Sequence, residues 1–393
     1  MKRFQGFAAF GAGMLLAMSL LASCSGEGQD DESGVKYRQE GNRITATLGE
    51  RLTVDAELVG MPESDAAAVL QAKRDDGMDS EKVTDVLLSG ETDLNEYVSD
   101  GFDSVNIYGA DGSFRMTYDP TSYFITYNAP ELNEKLYESL AKQQDSYNKR
   151  WDTVEELNEV DDVELEGYSK EQAIFDVREK LEQMGLQIEE EPYAIYGLNA
   201  ETLQMLYDRE KESGLLDALP EEYQNVTYEK EDEIYQMLWH LQLEDTPIIP
   251  RNYAETNNYE TTVCESVSRG CLVDVIVTRE KILGLRCWGQ YKPESVGEEE
   301  SLISIGEVLA SVQDFYSAKK LLRDKKVEKI SYCYIPVAQG DVNLETGMIA
   351  VDKDTEYTII PGWCIEVSRD PLPYESIYWD VLCVNGITGE IIP

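Results

Sequence analysis

Two stretches constrain this chain more than any other feature: "SKEQAIFDVREKLEQMG" from Ser169 and "SIGEVLASVQDFY" from Ser304. Each begins with a serine followed three residues later by a side chain that can reach back, Gln172 in the first and Glu307 in the second. Such a capping box satisfies two amide donors that a helix start leaves without partners. Each then carries one apolar stripe at helical spacing: Ala173, Ile174, Val177, Leu181 and Met184, or Val308, Leu309, Val312 and Phe315. Gly185 can close the first helix in a left-handed conformation.

Alternating runs follow each helix. After the first come "EIYQMLWHLQL", "ETTVCESV", "CLVDVIVT" and "KILGLRCWG"; after the second come "VEKISYCYIPV", "TIIPGWCIEV", "YWDVLCVNG" and "ITGEIIP". "NAETLQMLYDREK", capped by Asn199, reads as a helical insertion in the first copy. A helix followed by successive strands predicts an α+β fold of antiparallel sheets, each covered by a helix, with two related units at 166–295 and 296–393.

Upstream, residues 35–129 read as an N-terminal strand-rich domain of mixed character. "NRITATL" and "RLTVDAEL" predict a hairpin about Gly49 and Glu50. "PESDAAAVLQAKRDD" and "DSEKVTDVLLSG" predict two short helices, and "SVNIYG", "SFRMTY" and "SYFITY" three strands. Pro130 opens a helical, acidic connector over 130–165, marked by Leu132, Leu136, Leu140 and Trp151.

The Ser-capped helix followed by strands, closing on "VNGITGEIIP", resembles PepSY-type domains. It is still more similar to the paired C-terminal units of the YycH and YycI regulators, and to acidic lipoproteins of low-GC Gram-positive bacteria. The resemblance spans 165–393 and implies an extracytoplasmic modulator of peptidases or signalling, without a catalytic residue to carry over. Those regulators have an amino-terminal membrane helix, whose place a lipid would take here.

That lipid is the expectation for the first residues. Lys2 and Arg3 precede an apolar run from Phe7 to Ala22, the layout of an export signal, and the run is short for a membrane-spanning helix. Leu21-Ala22-Ser23-Cys24 resembles the bacterial lipobox. By that resemblance 1–23 is a lipoprotein signal peptide, Ser23 is the last residue removed by the signal peptidase, and Cys24 is the lipid attachment site. Two acyl chains such as palmitate anchor a protein stably where one does not. Residues 24–34, rich in Gly, Ser and carboxylates, read as a flexible tether.

The charge bounds the partners. The whole chain has a formal net charge of −43, with 77 Asp and Glu against 34 Lys and Arg, and both cations of 1–23 would leave with the signal. Such a surface predicts no nucleic acid partner, since those need basic patches that displace counterions. It also repels anionic lipid, so the expected membrane link is covalent. The 24 tyrosines and 42% hydrophobic content argue for folded domains rather than disorder.

Six cysteines follow Cys24: Cys264, Cys271, Cys287, Cys333, Cys364 and Cys383. With Ser268–Gly270 as a turn, Val267 faces Cys271 and Cys264 lies further along; with Arg279 and Glu280 as the next turn, Cys287 opposes Leu272. This favours buried thiols, with Cys333, Cys364 and Cys383 as the source of any bridge. The absence of a CxxC leaves zinc and thioredoxin chemistry without support.

Catalytic signals are sparse. His240 is the only histidine, and alternation places it with Gln236 and Gln242, opposite Met237, Trp239 and Leu241. It reads as a half-exposed structural histidine or, alternatively, as a base. Carboxylate pairs abound and so carry no specificity. "DVNLETGMIAVD" resembles a calcium loop at Asp341, Asn343 and Glu345, but Thr346 stands where the turn needs glycine, and Asp352 replaces the bidentate glutamate. The other reading is a solvated connection. Trp363, Trp379, Tyr332, Tyr334 and Tyr378 either line a peptide or glycan groove or fill the core.

The expected protein is lipid-anchored on the extracytoplasmic face of the cell membrane, without enzymatic activity, cofactor or metal, binding or modulating another envelope protein. The alternatives are a solute-binding lipoprotein of a transporter and a carboxylate-dependent hydrolase.

Overall fold

A computed structural model describes residues 29–30, 34–75, 80–89, 93–98, 104–119, 124–137, 163–214, 216, 220–249, 272–288, 290–339, 342–343, 348–349, 355–369 and 378–392. Ser23, Cys24, Cys264, Cys271, Asp341, Glu345, Thr346 and Asp352 lie outside these residues.

The first strands form a meander, β1 (Gln29–Asp30), β2 (Lys36–Glu40), β3 (Arg43–Gly49) and β4 (Leu52–Val59), followed by β5 (Ala66–Asp75) and helix α1 (Ser80–Leu87). Next come β6 (Asn95–Val98), β7 (Val105–Tyr108), β8 (Phe114–Asp119), β9 (Phe124–Asn128) and the short α2 (Pro130–Glu134). Helix α3 (Lys170–Gln183), β10 (Ala194–Leu198) and helix α4 (Ala200–Glu212) lead to β11 (Ile234–His240), β12 (Gln242–Leu243), β13 (Thr246–Pro247), β14 (Leu272–Val277), β15 (Ile282–Trp288) and β16 (Gln290–Ser301). The remainder is helix α5 (Ile305–Ser317), β17 (Lys325–Ala338), β18 (Val342–Asn343), β19 (Met348–Ile349), β20 (Glu356–Arg369), β21 (Tyr378–Asn385) and β22 (Ile391–Ile392).

The fold is α+β, with most strands in two large sheets. The eight-stranded sheet is antiparallel throughout, in the order β10-β11-β14-β15-β9-β8-β7-β6. The ten-stranded sheet runs β1-β2-β3-β4-β17-β20-β21-β22, and β5 joins it by pairing both β20 and β16. Its β4–β17 pairing is parallel. Residues 35–129 therefore contribute to both sheets: β2 to β5 join the sheet of the last hundred residues, and β6 to β9 join that of β10, β11, β14 and β15.

Three local expectations differ. The Ala-rich stretch at 66–75, expected as a helix, is a strand. It is hydrogen-bonded on both sides, to β16 and to β20, and those ladders override a local helical preference. Residues Gln29–Asp30, expected inside a flexible tether, pair with Tyr37 and Lys36. Cys287 opposes Val273 rather than Leu272, because a register irregularity at Ile276/Val277 adds one residue to the hairpin.

The capped helices form where expected. Ser304 and Glu307 make the full reciprocal box on α5. Ser169 accepts from the Gln172 amide, but the Gln172 side chain donates to Asp176 instead of reaching back. Gly185 has φ +88° and closes α3. Val308, Leu309, Val312 and Tyr316 of α5 are buried in one cluster with Ile44, Val54, Ile330, Trp363, Ile365 and Val384 of the ten-stranded sheet. Full burial of each such aliphatic side chain stabilises by about 1.5–3 kcal/mol. A second cluster gathers α1, α3, α4 and the eight-stranded sheet, and it extends to Tyr334, Tyr357 and Ile359 of the other sheet.

Candidate functional site: a polar junction between the sheets

The core between the two sheets is interrupted by polar groups from both. Strand β11 is buried along its whole length, so its two faces are both covered. His240, expected to be half-exposed, is 3% exposed. The chain after α3 runs back beside it: Ile188 bridges to Leu241, and the Gln242 amide donates to the Gln187 carbonyl. Glu189 then lies beside the imidazole. Its Oε2 is 2.8 Å from His240 Nδ1 and also accepts from the His240 amide at 3.2 Å.

Tyr193 stands edge-on to the same imidazole, with ring centroids 4.7 Å apart. Its hydroxyl donates to Glu366 Oε1 of β20 at 3.0 Å. Lys329 of β17, directly opposite Glu366 in the ladder, places its Nζ 3.7 Å from that oxygen and 4.3 Å from the Tyr193 ring centroid. Burial, reinforced by the Glu366 carboxylate, pushes the Tyr193 phenol well above its ordinary pKa, so it stays a donor at any ordinary pH. A backbone link lies nearby: Ile249 donates to the Tyr334 carbonyl at 2.9 Å.

Beneath this layer lie three thiols. Lys329, Ser331 and Cys333 share one face of β17, while Glu366, Cys364 and Gly362 share the same face of β20. Cys383 of β21 stands directly opposite Cys364. Cys333, Cys364 and Cys383 cluster with Ile249 and Ile335 and are at most 4% exposed. Burial pushes the Cys333 thiol well above its usual range; for Cys364, a hydrogen bond with Cys383 and then burial do the same. These three and Cys287 are reduced thiols, not joined in a disulfide.

As chemistry, the arrangement is an interlock. Each charged group faces a counterpart or an aromatic ring, and the contacts tie the segment after α3 to β17 and β20. Among the described residues no group of three His, Cys, Asp or Glu side chains is arranged to hold a metal. Asn343 pairs with Met348 and Val342 with Ile349 in a two-strand ladder, while Asp341, Glu345, Thr346 and Asp352 of the expected calcium loop lie outside the description. The aromatic set divides: Trp363 and Tyr332 stack edge-to-face at 5.4 Å and are buried in the same cluster as Val308 and Leu309, so they line no groove. Tyr334 is also buried, while Tyr378 and Trp379 belong to β21. A shallow depression of about 710 Å³ sits elsewhere, over α4, beside Gln204, Met205 and Asp208.

The sequence reading picked out His240 and the thiols but missed Glu189, Tyr193, Lys329 and Glu366. The available signal was Lys329 and Glu366 themselves, charges at the same strand parity as the buried Cys333 and Cys364. Polar groups at such positions need partners from another element.

No family model and no curated protein matches this chain. In structure it is similar to an uncharacterized protein from Eubacterium rectale, known from a crystal structure at 1.45 Å resolution. The two share 13% identity at a TM-score of 0.62, over 90% of this chain and 93% of that one. The likeness bears on the fold alone.

Proposed function

We propose that this protein is a lipid-anchored, extracytoplasmic protein of the cell envelope with a non-enzymatic binding or modulatory role. The observation that carries the reading is the order of Lys2-Arg3, the apolar run to Ala22 and the lipobox-like Leu21 to Cys24. No helix among the described residues is long and apolar enough to cross a membrane, so attachment on this reading falls to Cys24.

Two related units make up the body. In each, a Ser-capped helix precedes a four-strand antiparallel meander, β10-β11-β14-β15 after α3 and β17-β20-β21-β22 after α5, and the helix covers one sheet face. Support comes from the matching strand order and the matching caps. The partner would be another envelope protein, paired at a sheet edge. Strand β6 is the outer strand of the eight-stranded sheet among the described residues, and its Tyr97 and Val98 are each 61% exposed.

A solute-binding lipoprotein is disfavoured by strand order, since its two lobes are parallel sheets built from βαβ units. A carboxylate-dependent hydrolase would need a closed pocket between two facing acids.

The test is metabolic labelling with an alkyne analogue of palmitate in the native host, on the parent and on Cys24→Ala. The expected result is label on the parent, none on the variant, and loss of the variant from the membrane fraction. An unlabelled parent protein, or one found inside the cell, overturns the proposal. Cross-linking on intact cells then identifies the partner: an envelope kinase or peptidase supports modulation, and a permease supports transport instead.

A further inference from the structure

The register around Cys364 and Cys383 says more than that two thiols are neighbours. The Gly386 amide donates to the Pro361 carbonyl at 2.8 Å, which makes Pro361 and Gly386 a hydrogen-bonded pair of the β20–β21 ladder. Hydrogen-bonded and non-hydrogen-bonded pairs alternate along an antiparallel ladder. Gly362/Asn385 is thus non-bonded, Trp363/Val384 bonded, and Cys364/Cys383 non-bonded. Non-bonded pairs bring their α-carbons to about 4.5 Å, inside the range a disulfide spans. Cys333 faces Gly362, one register step away along the same face, and is offset diagonally from Cys364.

We propose that Cys364 and Cys383 form a cross-strand dithiol–disulfide site, oxidised by an external disulfide, with Cys333 left as a thiol. The cover over Cys383 is thin: its neighbour on the outer side is β22, a two-residue strand whose Ile392 pairs with it. Cys364 lies on a strand paired along both edges, with β17 and β21. Short edge strands open locally at lower cost than interior ones. With β22 displaced, the Cys383 thiolate attacks one sulfur of the external disulfide and releases the other as a thiol. The Cys364 thiolate then attacks the Cys383 sulfur of the mixed disulfide and releases the second thiol. Two protein S–H bonds are lost, one S–S bond forms, and the oxidant gains two electrons and two protons. Metal binding is the competing use of three thiols, and no three-ligand metal group occurs among the described residues.

The proposal takes its oxidant from the extracytoplasmic reading, but its test does not. The purified protein is incubated with oxidised glutathione, denatured, alkylated with N-ethylmaleimide and digested with trypsin. Lys329, Lys353 and Arg369 place Cys333, Cys364 and Cys383 in three separate peptides. The expected product joins the peptide Asp354–Arg369 to the one beginning at Asp370, with Cys333 alkylated. A Cys383→Ser variant is expected to keep both Cys333 and Cys364 alkylatable. Three alkylated thiols in the oxidised parent protein, or a bridge through Cys333, overturns the proposal. Failure of the bridge beside a lipidated Cys24 removes this inference alone. A bridge formed in a protein whose Cys24 is unmodified leaves the pair standing and removes the anchor.

Discussion

The junction predicts a measurable coupling between Tyr193 and Glu366. Tyr193→Phe removes one hydroxyl and nothing else, so the aromatic contacts with His240 and Lys329 survive. What is lost is a 3.0 Å hydrogen bond to a carboxylate whose side chain is only 13% exposed. Hydrogen bonds to charged groups contribute about 1.5–3 kcal/mol net, more than neutral ones. Glu366 keeps Lys329 at 3.7 Å in the variant, so the carboxylate is not stranded, and the loss belongs near the lower end, about 1.5–2 kcal/mol. Glu366→Gln weakens the same bond from the other side. In a double-mutant cycle the two changes therefore overlap, with an expected coupling of about 1–2 kcal/mol. Urea denaturation followed by circular dichroism and tryptophan fluorescence reads it out. Tyr97→Phe, on the exposed β6, serves as control and is expected to change stability by less than about 0.5 kcal/mol. A coupling below about 0.5 kcal/mol, within the scatter of independent sites, would refute the claim that this contact ties the sheets together.

Two further outcomes follow from caps and phenols. Ser304→Ala removes the 3.2 Å bond from the Glu307 amide but keeps the 2.7 Å bond from the residue-304 amide to the Glu307 carboxylate, and Ser169→Ala removes the 3.1 Å bond from the Gln172 amide; each is expected to cost about 1 kcal/mol. Thermal denaturation of the two variants checks this, and a variant as stable as the parent would contradict it. At alkaline pH, burial pushes Tyr332 up to about 12 and Tyr137, Tyr168 and Tyr228 higher still. Unfolded phenols ionise near about 10, so below that pH these residues leave stability unchanged. Above it the unfolded chain sheds protons that the folded one keeps, and stability falls as pH climbs towards 12. A 295 nm titration is expected to show a late phenolate phase that coincides with unfolding; one smooth transition near 10 in the folded protein would sink this account.

Where the sequence reading succeeded, local chemistry and global structure agreed. The Ser304 box, the Ala173–Val177–Leu181 stripe and the Asn199 cap are all local devices, and all are present. It failed where distant partners decide. Residues 66–75 look helical alone, but their ladders come from residues more than two hundred positions away. Strand β16, "QYKPESVGEEES", is too acidic to read as a strand, and it is one because β5 pairs it, its one partner strand among the described residues, and most of its side chains face solvent. His240 looked half-exposed because alternation within one strand says nothing about what covers its outer face. That cover is Glu189 and Tyr193, about fifty residues upstream. The register of Cys287 slipped for a smaller reason, since one irregular residue in a hairpin shifts every later pairing by one position.

Strand β1 also alters the picture of a body floating on a tether. On the lipid-anchored reading, only four residues separate Cys24 from Gln29, and an extended chain covers about 3.6 Å per residue, so the leash reaches roughly 18 Å. The ten-stranded sheet is wider than that. From β1 to β20, where Glu366 holds the junction, there are five strand-to-strand steps, roughly 24 Å at about 4.8 Å each. On that reading the edge formed by β1 and β2 would stay within about 18 Å of the attachment point. The junction and the eight-stranded sheet it secures are then displaced along the strand order, away from the attachment point. Which surface such a protein offers to a neighbour would be decided by the pairing of β4 with β17, made across some 270 residues of chain, rather than by the flexibility of its first residues.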